Sequence, residues 1–165
     1  MNYHKIEKTS VANGEGVRVV LWVSGCSLHC KGCHNPETWD FNSGKLFDEN
    51  AEKELFKALS KSHIQGITFS GGHPLEPLNI DVVYELIRKI KKRLPDKDIW
   101  LYTGWTLNID DFCQHNTLEL CDVIVDGRYI EELRDLTLKW RGSSNQRVID
   151  VKKTLEKGEF VLYEK

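Results

Sequence analysis

Apolar positions along the chain fall into short continuous runs and longer stripes, and the two kinds alternate. The run Val17-Arg18-Val19-Val20-Leu21-Trp22-Val23 is β-branched and apolar, and glycines bound it on both sides. It predicts a buried strand over 17–23. Ala51, Leu55 and Leu59 recur every four residues behind Asp48, a good N-cap, which predicts a helix over 48–61. A short strand over 66–70 ends at two glycines. Val83, Leu86, Ile87, Ile90 and Leu94 form one apolar stripe that Pro95 stops, predicting a helix over 79–94. A strand over 98–102, a weaker helix over 108–116 and a strand over 122–125 follow. The pattern from 128 to the end is irregular, with one short strand expected over 159–163.

Strands that alternate with helices predict an α/β fold with a mostly parallel sheet. Four strands hand over to loops at 26–35, 71–74, 103–105 and 126–128. In such folds the carboxyl ends of the strands share one edge, where ligands bind, so the four loops are expected to meet around one site. No repeat and no linker divides the chain, so 1–165 is expected to be one domain, with 128–165 as its irregular end.

Composition narrows the function classes. The 165 residues carry a net charge of −2, which argues against a dedicated nucleic-acid binder. The longest purely apolar run, 19–23, is far too short to span a membrane. The opening Met1-Asn2-Tyr3-His4-Lys5 leads into no apolar stretch, so no secretory signal is visible and a cytosolic (cytoplasmic) protein is expected. Its five cysteines are then expected to be reduced thiols.

Three of them, Cys26, Cys30 and Cys33, lie in the string Cys26-Ser27-Leu28-His29-Cys30-Lys31-Gly32-Cys33-His34, spaced C-x3-C-x2-C. Three soft thiolates on one loop suit three irons of a [4Fe-4S] cluster and leave the fourth iron open to a small ligand. Zinc is a rival, with His29 or His34 as a fourth ligand, and Cys30-Lys31-Gly32-Cys33-His34 also matches a haem-attachment motif. The remaining cysteines, Cys113 and Cys121, read as packing residues. Ser70-Gly71-Gly72-His73-Pro74 reads by itself as a tight turn, and gains interest from its place after a strand. Lys89, Lys91, Lys92 and Arg93 read as a solvated helix end, with an acidic electron donor or a partner protein as the alternative.

C-x3-C-x2-C after one strand and Gly-Gly-x-Pro after the next resemble the radical S-adenosylmethionine (SAM) superfamily. Further strings are similar to the activating proteins of anaerobic ribonucleoside-triphosphate reductases. These are Val23-Ser24-Gly25-Cys26, Cys33-His34-Asn35-Pro36, the run 99–105, Val125-Asp126-Gly127-Arg128-Tyr129 and above all Trp140-Arg141-Gly142-Ser143-Ser144-Asn145-Gln146-Arg147-Val148-Ile149-Asp150. The resemblance covers roughly 2–151. It implies an incomplete parallel (βα) barrel of the radical SAM type; a closed one needs about 250 residues.

It also implies that Cys26, Cys30 and Cys33 ligate the cluster and that the amino and carboxylate groups of SAM bind the open iron. One electron then splits SAM into methionine and a 5′-deoxyadenosyl radical, which takes a hydrogen atom from a glycine of the reductase's large subunit. By the same resemblance Gly71 and Gly72 face the methionine amino group, and Gly32, Cys33 and His34 lie along the adenine. Trp140, Arg141, Asn145 and Gln146 are expected near the partner's glycine loop, and an electron donor such as flavodoxin is implied. The chain departs from the family pattern at Glu15, where proline is common, at His34, where tyrosine is, and at His73, where an acid is. His34 is expected to stack on SAM, and the His73 side chain to be dispensable. An activase of another glycyl-radical enzyme, such as a formate-lyase, and a non-catalytic zinc-binding module are the competing functions.

Overall fold

The computed structural model describes residues 1–164. Seven strands form one open sheet in the order β3-β1-β2-β4-β5-β6-β7. Its centre is parallel: β2 (Arg18–Val23), β4 (Gly66–Gly71), β5 (Asp98–Tyr102) and β6 (Val123–Asp126) run side by side. Their residues are almost continuously buried, as expected of parallel strands covered on both faces. Helices α1 (Glu49–Leu59) and α2 (Ile80–Arg93) connect the first three, and the short α3 (Ile109–Gln114) and α4 (Asn116–Glu119) connect β5 to β6.

The flanks differ from the sequence expectation. β1 (Asn2–Ser10) pairs antiparallel with β2, and β3 (Lys45–Leu46) antiparallel with β1. β7 (Arg147–Asp150) pairs antiparallel with β6 and leads directly into α5 (Val151–Lys157). The sheet is therefore mixed and not closed. The stretch expected to be irregular holds a strand and a helix. The strand expected over 159–163 is a single bridge between Leu162 and Ile149. The pattern of β1 hides it: polar residues alternate with few apolar ones, and an antiparallel strand near the sheet margin, paired with β3 only at Asn2 and Tyr3, leaves one face to solvent.

Local chemistry sets the helix ends. The Asp48 carboxylate accepts the amides of Asn50 and Ala51 and starts α1 as expected. Asn79, before α2, caps nothing with its side chain. Its amide instead donates to the carbonyls of Ser24 and His73 and ties the end of β2 to the glycine loop. Asp150 caps α5 through the Lys153 amide.

The main core lies between the sheet and its helices, around Leu21, Phe69, Leu55 and Ile87. A second, aromatic cluster joins Trp100 to Trp140 and Tyr163. No helix among the described residues is long and apolar enough to cross a membrane.

Candidate functional site

The four strand-end loops meet. The His73 amide donates to the Gly25 carbonyl, which joins the glycine loop to the segment entering the cysteine loop. The Thr103 amide donates to Val125 O and the Gly127 amide to Trp105 O. Arg128 donates to the Leu28 carbonyl at 2.6 Å, inside the cysteine loop.

All five cysteines are free thiols. Cys26 and Cys30 are buried and Cys33 half-buried, with the Cys33 amide donating to Cys30 O at 3.1 Å. Burial pushes the Cys26 thiol up, against the backbone amides of Leu28 and His29. The three thiols follow one another along a single loop. Among the described residues no three His, Cys, Asp or Glu side chains converge as a ready-made metal cage. The donor set has the chemistry of an iron–sulfur site: three soft, unoxidised sulfurs on one short loop. Both nearby imidazoles face other rings: His29 stacks on Trp39 at 4.6 Å, and His34 leans on Tyr129.

The glycine pair owes its composition first to the protein itself. A side chain at position 72 would put its Cβ 2.5 Å from the Gly25 carbonyl oxygen, so only glycine lets the two loops close on each other. The Gly72 amide is already bonded to Val23 O. Gly32 has φ +70°, and a Cβ there would stand 2.7 Å from a Glu131 carboxylate oxygen.

Glu131 belongs to a strap, 128–146, that lies over the cysteine loop. Lys31 pairs with Glu131 and Glu132, both at 3.3 Å. The sequence signature at 140–147 anchors this strap. Gln146 Oε1 accepts the Gly142 and Ser143 amides, and its Nε2 donates to Gly127 O. Asn145 donates to Arg128 O, and the Tyr102 hydroxyl to Trp140 O. Buried Asp126 is held by Arg147 and by the Leu107 amide, so its carboxylate serves the turn.

His73 and Glu76 carry the main surprise. His73, 1% exposed, sits with Nε2 2.7 Å from Thr103 Oγ1 and Nδ1 3.4 Å from Glu76 Oε1. Its side chain is a buried post between two loops, a structural role separate from the SAM cleavage for which it is expected to be dispensable. Burial lowers its pKa, against the Glu76 carboxylate. Glu76 accepts both the amide and the hydroxyl of Ser27. Burial pushes its carboxyl up, but the Ser27 bonds and His73 outweigh that and hold it below the usual range.

Other candidates lie elsewhere. Lys89 pairs with Glu52, Lys91 with Asp122, and Arg93 covers the Phe56 ring, so most of the basic run serves intramolecular contacts. Cys113 flanks the core and Cys121 is buried, its thiol donating to Thr117 O. A groove of ≈ 680 Å³ beside Trp105, His115 and Arg128 touches the rim of the site but holds none of the three cysteines.

A family model described as a 4Fe-4S single cluster domain matches residues 12–149. Three similar proteins are each named anaerobic ribonucleoside-triphosphate reductase-activating protein. That of Haemophilus influenzae is 45% identical over 148 residues, covering 88% of this chain and 96% of its own. That of Enterobacteria phage T4 is 47% identical, over 90% and 93%. That of Escherichia coli K12 is 42% identical over 150 residues, 90% and 97%.

Proposed function

The chain belongs to the family of anaerobic ribonucleoside-triphosphate reductase-activating proteins, and from that premise we propose that it is a radical SAM activase for such a reductase. Cys26, Cys30 and Cys33 would hold a [4Fe-4S] cluster. When bound, that cluster supplies the electron that splits SAM, and the resulting radical takes a hydrogen atom from a glycine of the reductase's large subunit. The observation that carries the reading is the placement of three free thiols on a loop to which the loops after β4 and β6 are bonded, the end of β5 joining them through His73 and Thr103.

The chain's own residues supply position and enclosure. An ammonium group needs acceptors, which an N–H cannot be, so the carbonyls of Gly71 and Gly72 are the groups this loop would offer it. Gly32, Cys33 and His34 would flank the adenine, with Tyr129 behind His34. The open sheet suits the activity as an incomplete barrel, because the substrate glycine arrives on another protein. We place the protein in the cytoplasm, with a flavodoxin-type donor supplying the electron.

Anaerobic reconstitution with the large subunit, SAM and a strong reductant tests this. A glycyl-radical EPR signal should appear on the partner and vanish with Cys30→Ala. Stoichiometric zinc without sulfide would overturn the reading in favour of a binding module. An intact reduced cluster that cleaves SAM without that signal would move the activity to another glycyl-radical enzyme.

A further inference from the structure

Glu76 lies on the turn between β4 and α2, 5% exposed, and it touches the cysteine loop through one residue. Its Oε1 accepts the Ser27 amide at 2.8 Å and the Ser27 hydroxyl at 2.6 Å. Ser27 directly follows Cys26, and the Cys26 amide is itself bonded to Trp39 O at 3.1 Å. Two successive amides around the first thiol are thus fixed, one to a backbone carbonyl and one to a buried carboxylate.

The carboxylate is fixed in turn. An ionised carboxylate only accepts, so His73 meets it with a protonated Nδ1. Nε2 of the neutral ring then accepts the Thr103 hydroxyl proton, and Thr103 Oγ1 takes the Trp105 amide at 3.2 Å. One run of donors and acceptors therefore extends from the end of β5, through the loop after β4, to the loop after β2. Every member has a partner of the right polarity, which is the condition under which a buried polar network makes its surroundings rigid.

Ser27 itself is exposed, so its hydroxyl has water as an alternative partner. A neutral acceptor would hold the loop as well. A negative charge next to thiolates repels them, and burying it costs free energy. What a charge adds, and a neutral acceptor does not, is an electrostatic bias against putting an electron on this loop.

We propose that Glu76 is a positioning residue for the cysteine loop: it sets the Cys26–Ser27 turn before metal arrives, and its charge holds the reduction potential of the bound cluster down. This rests on the reading of Cys26, Cys30 and Cys33 as cluster ligands. A low potential matches the demand of the chemistry, because a stronger reductant transfers its electron to a sulfonium more readily.

The test uses full-length wild type, Glu76→Gln and Glu76→Ala, without the reductase. Gln keeps an oxygen for Ser27 and removes the charge. Glu76→Gln should take up iron and sulfide as wild type does, with a potential shifted upward in an EPR-monitored titration. Glu76→Ala should lose at least about half its cluster, and its Ser27 amide should exchange about tenfold faster in the metal-free protein. Equal potentials in wild type and Glu76→Gln would overturn the proposal. So would a wild-type Ser27 amide that exchanges as fast as an unstructured peptide, a measurement that needs no variant. If wild type takes up no iron with sulfide, the cluster reading itself fails, a result distinct from either.

Discussion

The imidazole of His34 lies against the phenol of Tyr129, ring centroids 5.1 Å apart and planes tilted by 50°. His34 directly follows the third thiol, and Tyr129 is the second residue of the strap. The ring is exposed on its other side and has no need of iron to be held. A flat ring backed by a second ring can stack on a nucleobase. His34→Ala should weaken SAM binding by about three- to tenfold, as expected for one aromatic contact, and leave iron and sulfide content unchanged. His34→Phe should restore affinity. Loss of iron in His34→Ala, with SAM affinity intact, would make it a ligand instead. Equilibrium binding and metal analysis check both.

His73 makes stability depend on pH in one direction. Burial lowers its pKa in the folded protein, so between that value and about 6.5 the unfolded chain binds more protons than the folded one. The contribution is complete above about pH 6.5 and falls as pH drops through that window. Glu76, held below the usual carboxyl range, adds a similar loss at lower pH, below its unfolded value. Urea unfolding from pH 7.5 to 5.5 should show wild-type stability declining, and His73→Asn should flatten the decline. An unchanged slope in that variant would assign the effect to another group.

Arg18 is fully buried inside a strand. It donates to Thr68 Oγ1, to Ile67 O and to Glu15 O, meets Asp98 at 2.5 Å and lies over the Trp100 ring. Removing one side of such an arrangement strands the rest. Arg18→Ala should cost about 3 kcal/mol, at the low end for a broken buried pair because Asp98 keeps some solvent. For a domain of this size that lowers Tm by about 6–12 °C. Arg18→Lys should recover only part of it, since an ammonium cannot reproduce the guanidinium's fork of donors. Calorimetry decides.

Gln146 is the pin of the strap. With two amides on its oxygen and Gly127 O on its nitrogen, Gln146→Ala should cost about 1–3 kcal/mol. Protease should then cut within 128–146 sooner, while cuts elsewhere stay unchanged. Lys31→Ala should leave Tm alone, because both its ion pairs are exposed.

The legible parts of the fold were those with a one-dimensional signature. The four parallel strands, α1 with Asp48 at its start and α2 with its stripe all follow from period and punctuation. Strand β7 and α5 were missed because the apolar run in Arg147-Val148-Ile149-Asp150 is only two residues long and the strand passes into the helix with no turn residue between them. The predicted helix over 108–116 is two short ones that break at His115. Glu76 was invisible for another reason: nothing in Pro74-Leu75-Glu76-Pro77 shows that Ser27, far away in sequence, donates to it.

The sequence by itself determined that three thiols stand at fixed spacing on one loop, because residue type and spacing are local properties of the chain. It also determined the parallel core, because burial on both faces writes continuous apolar runs into each strand. Only the tertiary structure decided what holds that loop. The Glu76–His73–Thr103 network, the Gly72–Gly25 contact and the strap pinned by Gln146 join residues distant in sequence. The physical reason is that a buried polar atom must find a partner, and which partner it finds depends on how strand ends meet in space rather than on the residues beside it in the chain.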